Sequence, residues 1–521
     1  MCVETFNADT TTIITELLRQ SYSIFTKSPF YGNLNPLELS GMLGRVDVFK
    51  LIASKVPDGK LTLDQKFDCI HTALKNTAIY PENMQFIKYM IEDDKFPINH
   101  IHSDPPLTLL SHAAGSGLEQ MLNILLDLGA DPLIGNPDCG LANAAEIAAR
   151  HGELGMYKIL LDRCPSVAKR YSSNDAKFEL ALKASHMLDA HPEYTFACTK
   201  FMQFIFESGL PIDHINTKYP ATLLIFAAQN NAPKLAQYLL DNGANANVKV
   251  QSKDAIIDAI EFSALETFNI LRSKQPEWND FATSPEKQYK VLTIALMNAN
   301  QANAEAKYLK FANTIITEYH YDINYCHKFQ GIATHTLLEL AASKNMMASL
   351  KLFLELGADI NYVNEELNTN AFNSACTKGH HKIAQYLLQQ PQFEGNKFID
   401  KHGRTILYYA GSSGSSELVN SVCEKYADLI NSTNSEGLCI LDELVIMWGI
   451  AGHDGDTRKI KASISALLSH NAVLSDKGVD FLKRKGLTQE FEDLTHHVAQ
   501  QQDDNVQIVE VPHKFADASP E

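Results

Sequence analysis

The stretch TLLELAASKNMMASLKLFLELGADINY, at residues 336–362, decides the fold because its pattern returns elsewhere in the chain. Residues 108–134 and 222–248 carry the same pattern without a gap: an Ala-Ala pair follows the first Thr by five and six residues, and a Gly follows it by 21. Ungapped copies at one phase indicate a repeat array, which would otherwise be misread as several ordinary domains. We therefore predict a chain built from repeated units.

Each copy is predicted to form a short helix, a turn, a longer helix and a Gly stop. Thr336 can accept the first free backbone N–H groups of a helix, and Ala341 and Ala342 keep that helix thin enough for close stacking. Apolar residues at helical spacing give the second helix one apolar stripe, and Gly357 permits the left-handed residue that ends a helix. One copy alone would also fit an amphipathic helix pair in an ordinary α protein, but the recurrence favours the array.

Several further segments share landmarks with these copies. The sequence DKHGRT at residues 400–405 is followed by Ala410, NPLEL at residues 35–39 is followed by Gly44, and GADIN ends the third copy at residues 357–361. These residues resemble the ankyrin repeat, a unit of about 33 residues with Thr-Pro-Leu-His, Ala-Ala and Gly-Ala-Asp landmarks. Most units lack the Pro and the His, and several have longer connections. The resemblance implies an all-α ankyrin-repeat solenoid of about 10–12 degenerate helix–turn–helix units with capping helices.

The phase of the pattern suggests how the chain is organised. A solenoid needs capping segments because its end units have no outer neighbour, and the middle of the chain is the least regular part. We expect an N-terminal capping helix at 1–34, ankyrin-like repeats at 35–253, irregular ankyrin-like repeats with insertions at 254–335, ankyrin-like repeats at 336–478, C-terminal capping helices at 479–501 and a disordered tail at 502–521.

The composition restricts the class of partner and the compartment. The 521 residues carry a formal net charge of −17, whereas a general binder of the phosphate backbone needs clustered Lys and Arg, so we expect no nucleic-acid partner. The nine cysteines are scattered without a C-x-x-C pair, which is typical of a reduced intracellular chain. No secretory signal peptide is visible at the start, and no apolar run reaches the ~18 residues of a membrane helix. We expect a cytoplasmic protein without membrane insertion.

No familiar motif of catalysis is present. The chain contains no phosphate-binding GxxxxGK[ST], no GxGxxG after a strand, no HExxH and no GxSxG. Side chains at adjacent helix positions point about 100° apart and do not meet at a shared site without help from elsewhere. We therefore predict no catalytic residue, no metal ligand and no cofactor, and we read as structural the three pairs that could suggest otherwise: Cys326-His327, His380-His381 and His496-His497.

The family resemblance also implies where a partner would bind. Ankyrin-like units present the turn before the first helix, and the exposed end of that helix, along one concave face suited to protein surfaces. The alternative interpretation is that solvated polar residues always occupy such turns. Carried over to this sequence, the implied contact residues form a locally basic strip, which we call the turn strip: Ile332, His335, Ser343, Lys344, Glu366, Leu367, Thr369, Thr377, Lys378, Lys401, His402, Arg404, Ser412 and Ser413.

These expectations favour a monomeric, non-enzymatic adaptor that binds one or more proteins on the concave face. The degenerate units and insertions are similar to the ankyrin-repeat effectors of intracellular bacteria, virulence proteins that type IV secretion delivers into the host cytoplasm. That resemblance implies secretion without a Sec signal peptide, with the acidic tail as an export signal. Two alternatives stay open: an effector with a cryptic enzymatic or modifying activity in residues 254–335 or 440–500, and a scaffold whose array packs on itself or forms oligomers.

Overall fold

The computed structural model describes most of the chain: residues 25–27, 33–56, 60–77, 79, 82–135, 142–301, 304–329, 332–451 and 457–509. The helix expected within residues 1–34 lies almost entirely outside this described part. Clustering of the described residues gives two compact units, Met1–Asp258 with Glu266–Lys274 (unit 1) and Ala259–Leu265 with Gln275–Glu521 (unit 2).

Unit 1 consists of successive antiparallel helix pairs. Its helices are α1 Pro36–Met42, α2 Val46–Ala53, α3 Leu63–Lys75, α4 Asn83–Lys88 (continued by a π turn, Tyr89–Asp93), α5 Leu109–Gly115, α6 Glu119–Asp127, α7 Ala144–His151, α8 Leu154–Arg163, α9 Pro165–Arg170, α10 Asn174–Ala190, α11 Thr195–Glu207, α12 Leu223–Gln229, α13 Pro233–Asp241, part of α14 Ala255–Glu261, and α15 Leu265–Lys274.

Unit 2 continues the same pattern and holds the two short strands found in the described residues. Its elements are α16 Pro285–Gln301, α17 Glu305–Glu318, β1 Lys328–Phe329, β2 Ile332–Ala333, α18 Leu337–Ser343, α19 Met347–Glu355, α20 Ala371–Thr377, α21 His381–Gln389, α22 Ile406–Ser412, α23 Ser416–Lys425, α24 Ile440–Ala451, α25 Arg458–Ser469, α26 Asp476–Lys485 and α27 Thr488–Val509. The strands form an antiparallel hairpin in which Phe329 pairs with Ile332.

The three matching stretches form the helix pairs that the sequence predicts. The Oγ1 atoms of Thr108, Thr222 and Thr336 accept the N–H of the third helical residue at 3.0, 3.2 and 3.2 Å, which caps the first helix. The Ala-Ala pairs of all three copies are fully buried. Gly357 ends the second helix with φ of +93°, and a Cβ there would meet nothing within 4 Å, so the backbone conformation and not the space favours glycine.

A larger repeat runs through the order of the helices. Thr62, Ser173 and Ser284 each begin a long first helix, α3, α10 and α16, and follow one another at intervals of 111 residues. A regular pair follows in each case (α5–α6, α12–α13, α18–α19), and then another (α7–α8, α14–α15, α20–α21). The stretches at 108, 222 and 336 are thus the middle pair of a three-pair block that occurs three times.

The irregular region at 254–335 owes its length to long helices. Its described residues form α14 to α17 and the hairpin, joined by the short 3-10 turns Pro276–Trp278 and Phe281–Thr283. The helices α16 and α17 span 17 and 14 residues, where the corresponding helices of the regular pair α18–α19 span 7 and 9. At the other end of unit 2, α27 runs to Val509, beyond residue 501 where we ended the capping segment. Residues 510–521 of the expected tail lie outside the described part.

A ladder of side-chain to backbone hydrogen bonds joins consecutive turns. In each bond a carboxamide or carboxylate Oδ1 accepts the backbone N–H of a residue in the following unit, which satisfies a turn donor that no helix can satisfy. The bonds are Asn99 to Asp131 (2.8 Å), Asp213 to Asn245 (3.0 Å), Asn324 to Asp359 (2.8 Å), Asn361 to Glu394 (2.8 Å) and Asn431 to Val473 (2.8 Å).

Replacing Asn361 with alanine should lower the free energy of unfolding by about 1–2 kcal/mol, because one side chain makes two inter-unit bonds. Its Oδ1 accepts the N–H of Glu394 and its Nδ2 donates to the carbonyl of Gln392, both at 2.8 Å. Urea denaturation followed by circular dichroism measures the loss. The matched control is Asn230→Ala, since the Asn230 amide donates only within its own helix, to the Phe226 carbonyl at 2.9 Å. Equal losses in the two variants would show that the ladder contributes nothing of its own.

Candidate interaction surface

The turn before α18 and the turn before α20 are held together by their polar side chains. Glu366 accepts hydrogen bonds from Lys328 Nζ and from the backbone N–H of Ala333, both at 2.6 Å, and these bonds lower the pKa of its carboxyl. Thr369 Oγ1 donates to Glu339 Oε1 at 2.7 Å. Two residues of the predicted turn strip, Glu366 and Thr369, therefore already have internal partners.

Glu339 is the centre of this arrangement although it was not predicted as a contact residue. Its side chain is almost fully buried, and its Oε2 accepts the backbone N–H of Thr336 at 3.0 Å, which completes a capping box. The Nδ1 atom of His335 lies 3.5 Å from Glu339 Oε1, and the His335 carbonyl accepts the hydroxyl of Tyr289 at 2.6 Å. His335 is thus placed by its neighbours, with 40% of its side chain exposed. Ile332 contributes its backbone to the hairpin.

Arg404, in the turn before α22, forms an ion pair with Glu443 of α24. Its Nε and Nη2 atoms both lie 2.8 Å from Glu443 Oε1, and its guanidinium stacks 4.1 Å from the centre of the Tyr408 ring. Burial raises the pKa of the Glu443 carboxyl. Asp400 Oδ1 accepts the backbone N–H groups of His402 and Arg404 at 2.8 Å. The charge of Arg404 is therefore neutralised, which corrects the expectation that its cation adds to a basic strip.

The small polar residues of the strip bond mainly to their own turns and helices. The hydroxyls of Ser343, Thr377, Ser412 and Ser413 donate to backbone carbonyls three or four residues earlier, at 2.9, 2.8, 3.2 and 2.7 Å. The Leu367 N–H donates to Asn364 Oδ1 at 3.1 Å, and the carbonyl of His402 accepts Ser435 from the next turn. The oxygen atoms of these hydroxyl groups can still accept hydrogen bonds from a partner. Their internal hydrogen bonds also account for serine and threonine at these positions without a partner.

Three cations of the turn strip are left over. Lys344 and Lys378 are the C-cap residues of α18 and α20, and Lys401 lies in the turn before α22. Lys378 and Lys401 are exposed and Lys344 is half-exposed. Across the described residues of unit 2, none of the three forms an ion pair. We call Lys344, Lys378 and Lys401 the free lysines; they are the part of the strip that can act on a partner's charge.

Cys326 and His327 are directed at separate partners. Cys326 Sγ donates to the Thr334 carbonyl at 2.6 Å, whereas His327 Nε2 lies 3.9 Å from Glu286 Oε1. Burial raises the pKa of the Cys326 thiol, which disfavours the nucleophilic thiolate. The ring of His380 faces the Ser343 carbonyl at 3.1 Å, as expected for a residue that joins neighbouring units. The described residues contain no group of three or more His, Cys, Asp or Glu side chains placed to hold a metal ion.

The sequence analysis missed a carboxylate–histidine pair that recurs once in each block. Its first two members have a hydroxyl partner as well, Ser103 or Thr217, and the hydrogen bonds from Ser103 and His100 lower the pKa of Asp64 to about 2. The acidic residues follow one another at intervals of 111, so the signal was in the sequence. The pairs are Asp64–His100 (2.6 Å), Asp175–His214 (2.7 Å) and Glu286–His327 (3.9 Å).

The fold and this surface define an all-α ankyrin-repeat solenoid. The family model for ankyrin repeats, in three copies, matches residues 338–433, which contain all of the turn strip except Ile332 and His335 and include all three free lysines. This part of the chain therefore consists of ankyrin repeats.

Two known proteins are similar to parts of the chain. A "B-cell lymphoma 3 protein homolog" from Mus musculus is 26% identical over 155 residues, which cover 29% of this chain and 32% of that relative, so the chain spans about a third of its length. The crystal structure of the human ASB11 ankyrin repeat domain matches 48% of this chain and 99% of its own, at 15% identity and a TM-score of 0.33. Neither similarity indicates a bacterial effector. Among the described helices, none is long and apolar enough to cross a membrane.

Proposed function

We propose that this protein is a non-enzymatic interaction scaffold that binds partner proteins on the concave face of its ankyrin repeats, with the free lysines of unit 2 as charged contacts. The observation that carries the proposal is the contrast within the turn strip. Arg404 is neutralised by Glu443, whereas Lys344, Lys378 and Lys401 have no carboxylate partner in the described part of unit 2. In a chain of net charge −17, a row of unpaired cations favours an acidic partner surface and rejects basic ones.

The repeat architecture supports a non-enzymatic role. An enzyme needs a pocket with converging titratable groups, whereas the described residues of 254–335 and of 440–500 form helix pairs, with Cys326 and His327 directed at separate partners. Delivery into a host cell by type IV secretion is a further hypothesis, which rests on the degenerate repeats, their insertions and the acidic tail. Of its suggested signal, residues 502–509 belong to α27.

The proposal is tested by comparing partner recovery between two variants that carry the same change in charge. The turn variant is Lys344→Glu, Lys378→Glu, Lys401→Glu. The outer variant is Lys290→Glu, Lys307→Glu, Lys483→Glu, on helices α16, α17 and α26, where these lysines are also exposed and form no ion pair among the described residues. Arg404 is left unchanged because its substitution would strand the buried Glu443 carboxylate.

We expect affinity purification from a eukaryotic lysate, quantified by mass spectrometry, to recover partners with the wild type and the outer variant that the turn variant recovers about tenfold less. Reversal of three exposed charges at an interface has an effect of this order. Unchanged circular dichroism of both variants is the folding control. If the turn variant retains every partner, the free lysines are not contacts and the proposal is wrong.

A further inference from the structure

A groove lies between second helices of unit 2, on helices that carry none of the turn-strip residues. A cavity of about 440 Å³ lies between α19, α21 and α23, and its lining includes Met347, Lys351, His381, Lys382, Tyr386 and Glu417. We call it the outer groove. Its volume falls within the range of roughly 300–1,000 Å³ in which proteins hold small ligands or a few side chains of a partner.

The outer groove carries an excess of positive charge. Lys351 and Lys382 are both exposed, and neither forms an ion pair with any described residue. Lys459 approaches from α25 closely enough to lower the pKa of His381, after the larger effect of burial. Glu417 is the carboxylate among the residues that line the groove. Two ammonium groups, those of Lys351 and Lys382, therefore line the groove with one carboxylate, in a protein whose overall charge is strongly negative.

Hydrogen-bonding groups are also available in the groove. The Nδ1 atom of His381 is buried and has no hydrogen-bond partner in the described structure, and a buried polar atom without a partner is costly unless a ligand or water satisfies it. Gln385 donates through Nε2 to Ser421 Oγ at 2.9 Å, which fixes its amide and leaves its carbonyl oxygen as an acceptor. Lys351 Nζ lies 5.1 Å from the centre of the Tyr386 ring, so an aromatic wall holds one of the cations.

We propose that the outer groove is a second interaction site, which takes an acidic peptide segment of a partner protein. Carboxylates of the segment pair with Lys351 and Lys382, while the amide of Gln385 and the ring of His381 bond to its backbone. A partner held here leaves the turn strip free, because the two surfaces lie on different helices of each pair. One chain could then bring two partners together, and this step does not depend on the free lysines.

Fluorescence anisotropy with a defined probe tests the proposal directly. The probe is a fluorescein-labelled octapeptide of alternating Glu and Ser, and the comparison peptide has Gln in place of every Glu. We expect the wild type to bind the acidic peptide about tenfold more tightly than the amide peptide, with affinity falling as NaCl rises from about 50 to about 300 mM. Inorganic phosphate at millimolar concentration should not displace the peptide; displacement by phosphate would assign the groove to phosphate groups and overturn the acidic-peptide proposal.

Matched variants locate the binding site. Lys351→Glu, Lys382→Glu should weaken the acidic peptide about tenfold, and Lys351→Gln, Lys382→Gln, which removes the charges without reversing them, should weaken it by a smaller factor. The control Lys290→Glu, Lys307→Glu carries the same charge change at two exposed, unpaired lysines of α16 and α17 that belong to neither surface, and it should bind within about twofold of the wild type. Equal loss in the two Glu variants, or a wild type that does not distinguish the peptides, would overturn the proposal. If the turn variant loses its partners while the acidic peptide still binds, the result concerns the proposed concave face and leaves the outer groove proposal unaffected.

Discussion

Replacing Asp442 with alanine should lower the free energy of unfolding by about 3 kcal/mol, because its buried carboxylate satisfies two backbone donors at once. The side chain is fully buried. Its Oδ2 accepts the N–H of Cys439 at 2.9 Å, and its Oδ1 accepts the N–H of Ser475, the N-cap residue of α26, at 2.9 Å. Truncation leaves both donors without a partner and disconnects α24 from the segment that begins α26. Urea denaturation monitored by circular dichroism measures the loss.

Asp442→Asn is the matched control for this prediction. The amide keeps the shape and one acceptor oxygen, but it turns an N–H₂ group toward one of the two donors, so we expect an intermediate loss. Backbone hydrogen exchange follows each donor: the N–H groups of Cys439 and Ser475 should lose their protection in Asp442→Ala and keep part of it in Asp442→Asn. A loss below about 1 kcal/mol in Asp442→Ala would contradict the account, since it would mean that water replaces the carboxylate without cost.

Acidification from pH 7 to pH 5 should lower the free energy of unfolding by about 2 kcal/mol through the protonation of His71 alone. His71 Nε2 and His112 Nδ1 lie 3.2 Å apart on α3 and α5, in part-buried positions. Burial lowers the pKa of His71 to about 3 and lowers that of His112 as well. The folded state therefore binds fewer protons at His71 than the unfolded state does below pH 6.5. The stabilising contribution of His71 is fully present above pH 6.5 and is lost as the pH falls toward 3, by about 1.4 kcal/mol per pH unit.

His71→Gln is the variant that isolates this effect, because an amide can still bond to His112 and cannot be protonated. Thermal or urea unfolding of unit 1 should show a pH dependence between 7 and 5 that is weaker in the variant by about 2 kcal/mol. Asp64, on the same helix, does not interfere in this window: its pKa is lowered from 3.8 to about 2, so its stabilising effect is lost only as the pH falls from 3.8 toward 2. The other carboxylates are common to the variant and the wild type, so their effects cancel in the comparison. Identical pH profiles of variant and wild type would contradict the assignment.

The helix pairs could be predicted from the sequence because their determinants are local. Thr336 precedes α18 and accepts the N–H of Glu339, three residues later, while Ala341 and Ala342 are buried on the same helix. Gly357 is needed for its own φ. Each of these effects acts within one or two helical turns, so the residue type at the right spacing is enough. The three-pair block is a longer-range feature: Thr108, Thr222 and Thr336 lie at equal intervals of 114 residues, which exceed the length of one unit of about 33 residues more than threefold. The pattern of a single unit therefore does not predict it.

The contact strip was harder to predict because charge depends on distant partners. Arg404 and Glu443 are 39 residues apart, and Lys328 and Glu366 are 38 apart. Only the stacking of units brings such residues together. Ankyrin-like spacing placed the strip at the turns, but it could not tell which lysines keep a free charge. The outer groove could not be predicted from the sequence for a related reason. Lys351 and Lys382 belong to different units, and within its own unit each resembles an ordinary solvated residue.

The most direct test of the scaffold proposal is the ratio of partner recovered by the turn variant to partner recovered by the outer variant, at equal expression and with unchanged circular dichroism. The two variants carry the same charge reversal within unit 2, one on the turn strip and the other outside it, so general electrostatics cancel in the ratio. Binding through Lys344, Lys378 and Lys401 predicts a ratio of about one tenth for at least one partner. A ratio near one for every partner would contradict binding at the turn strip.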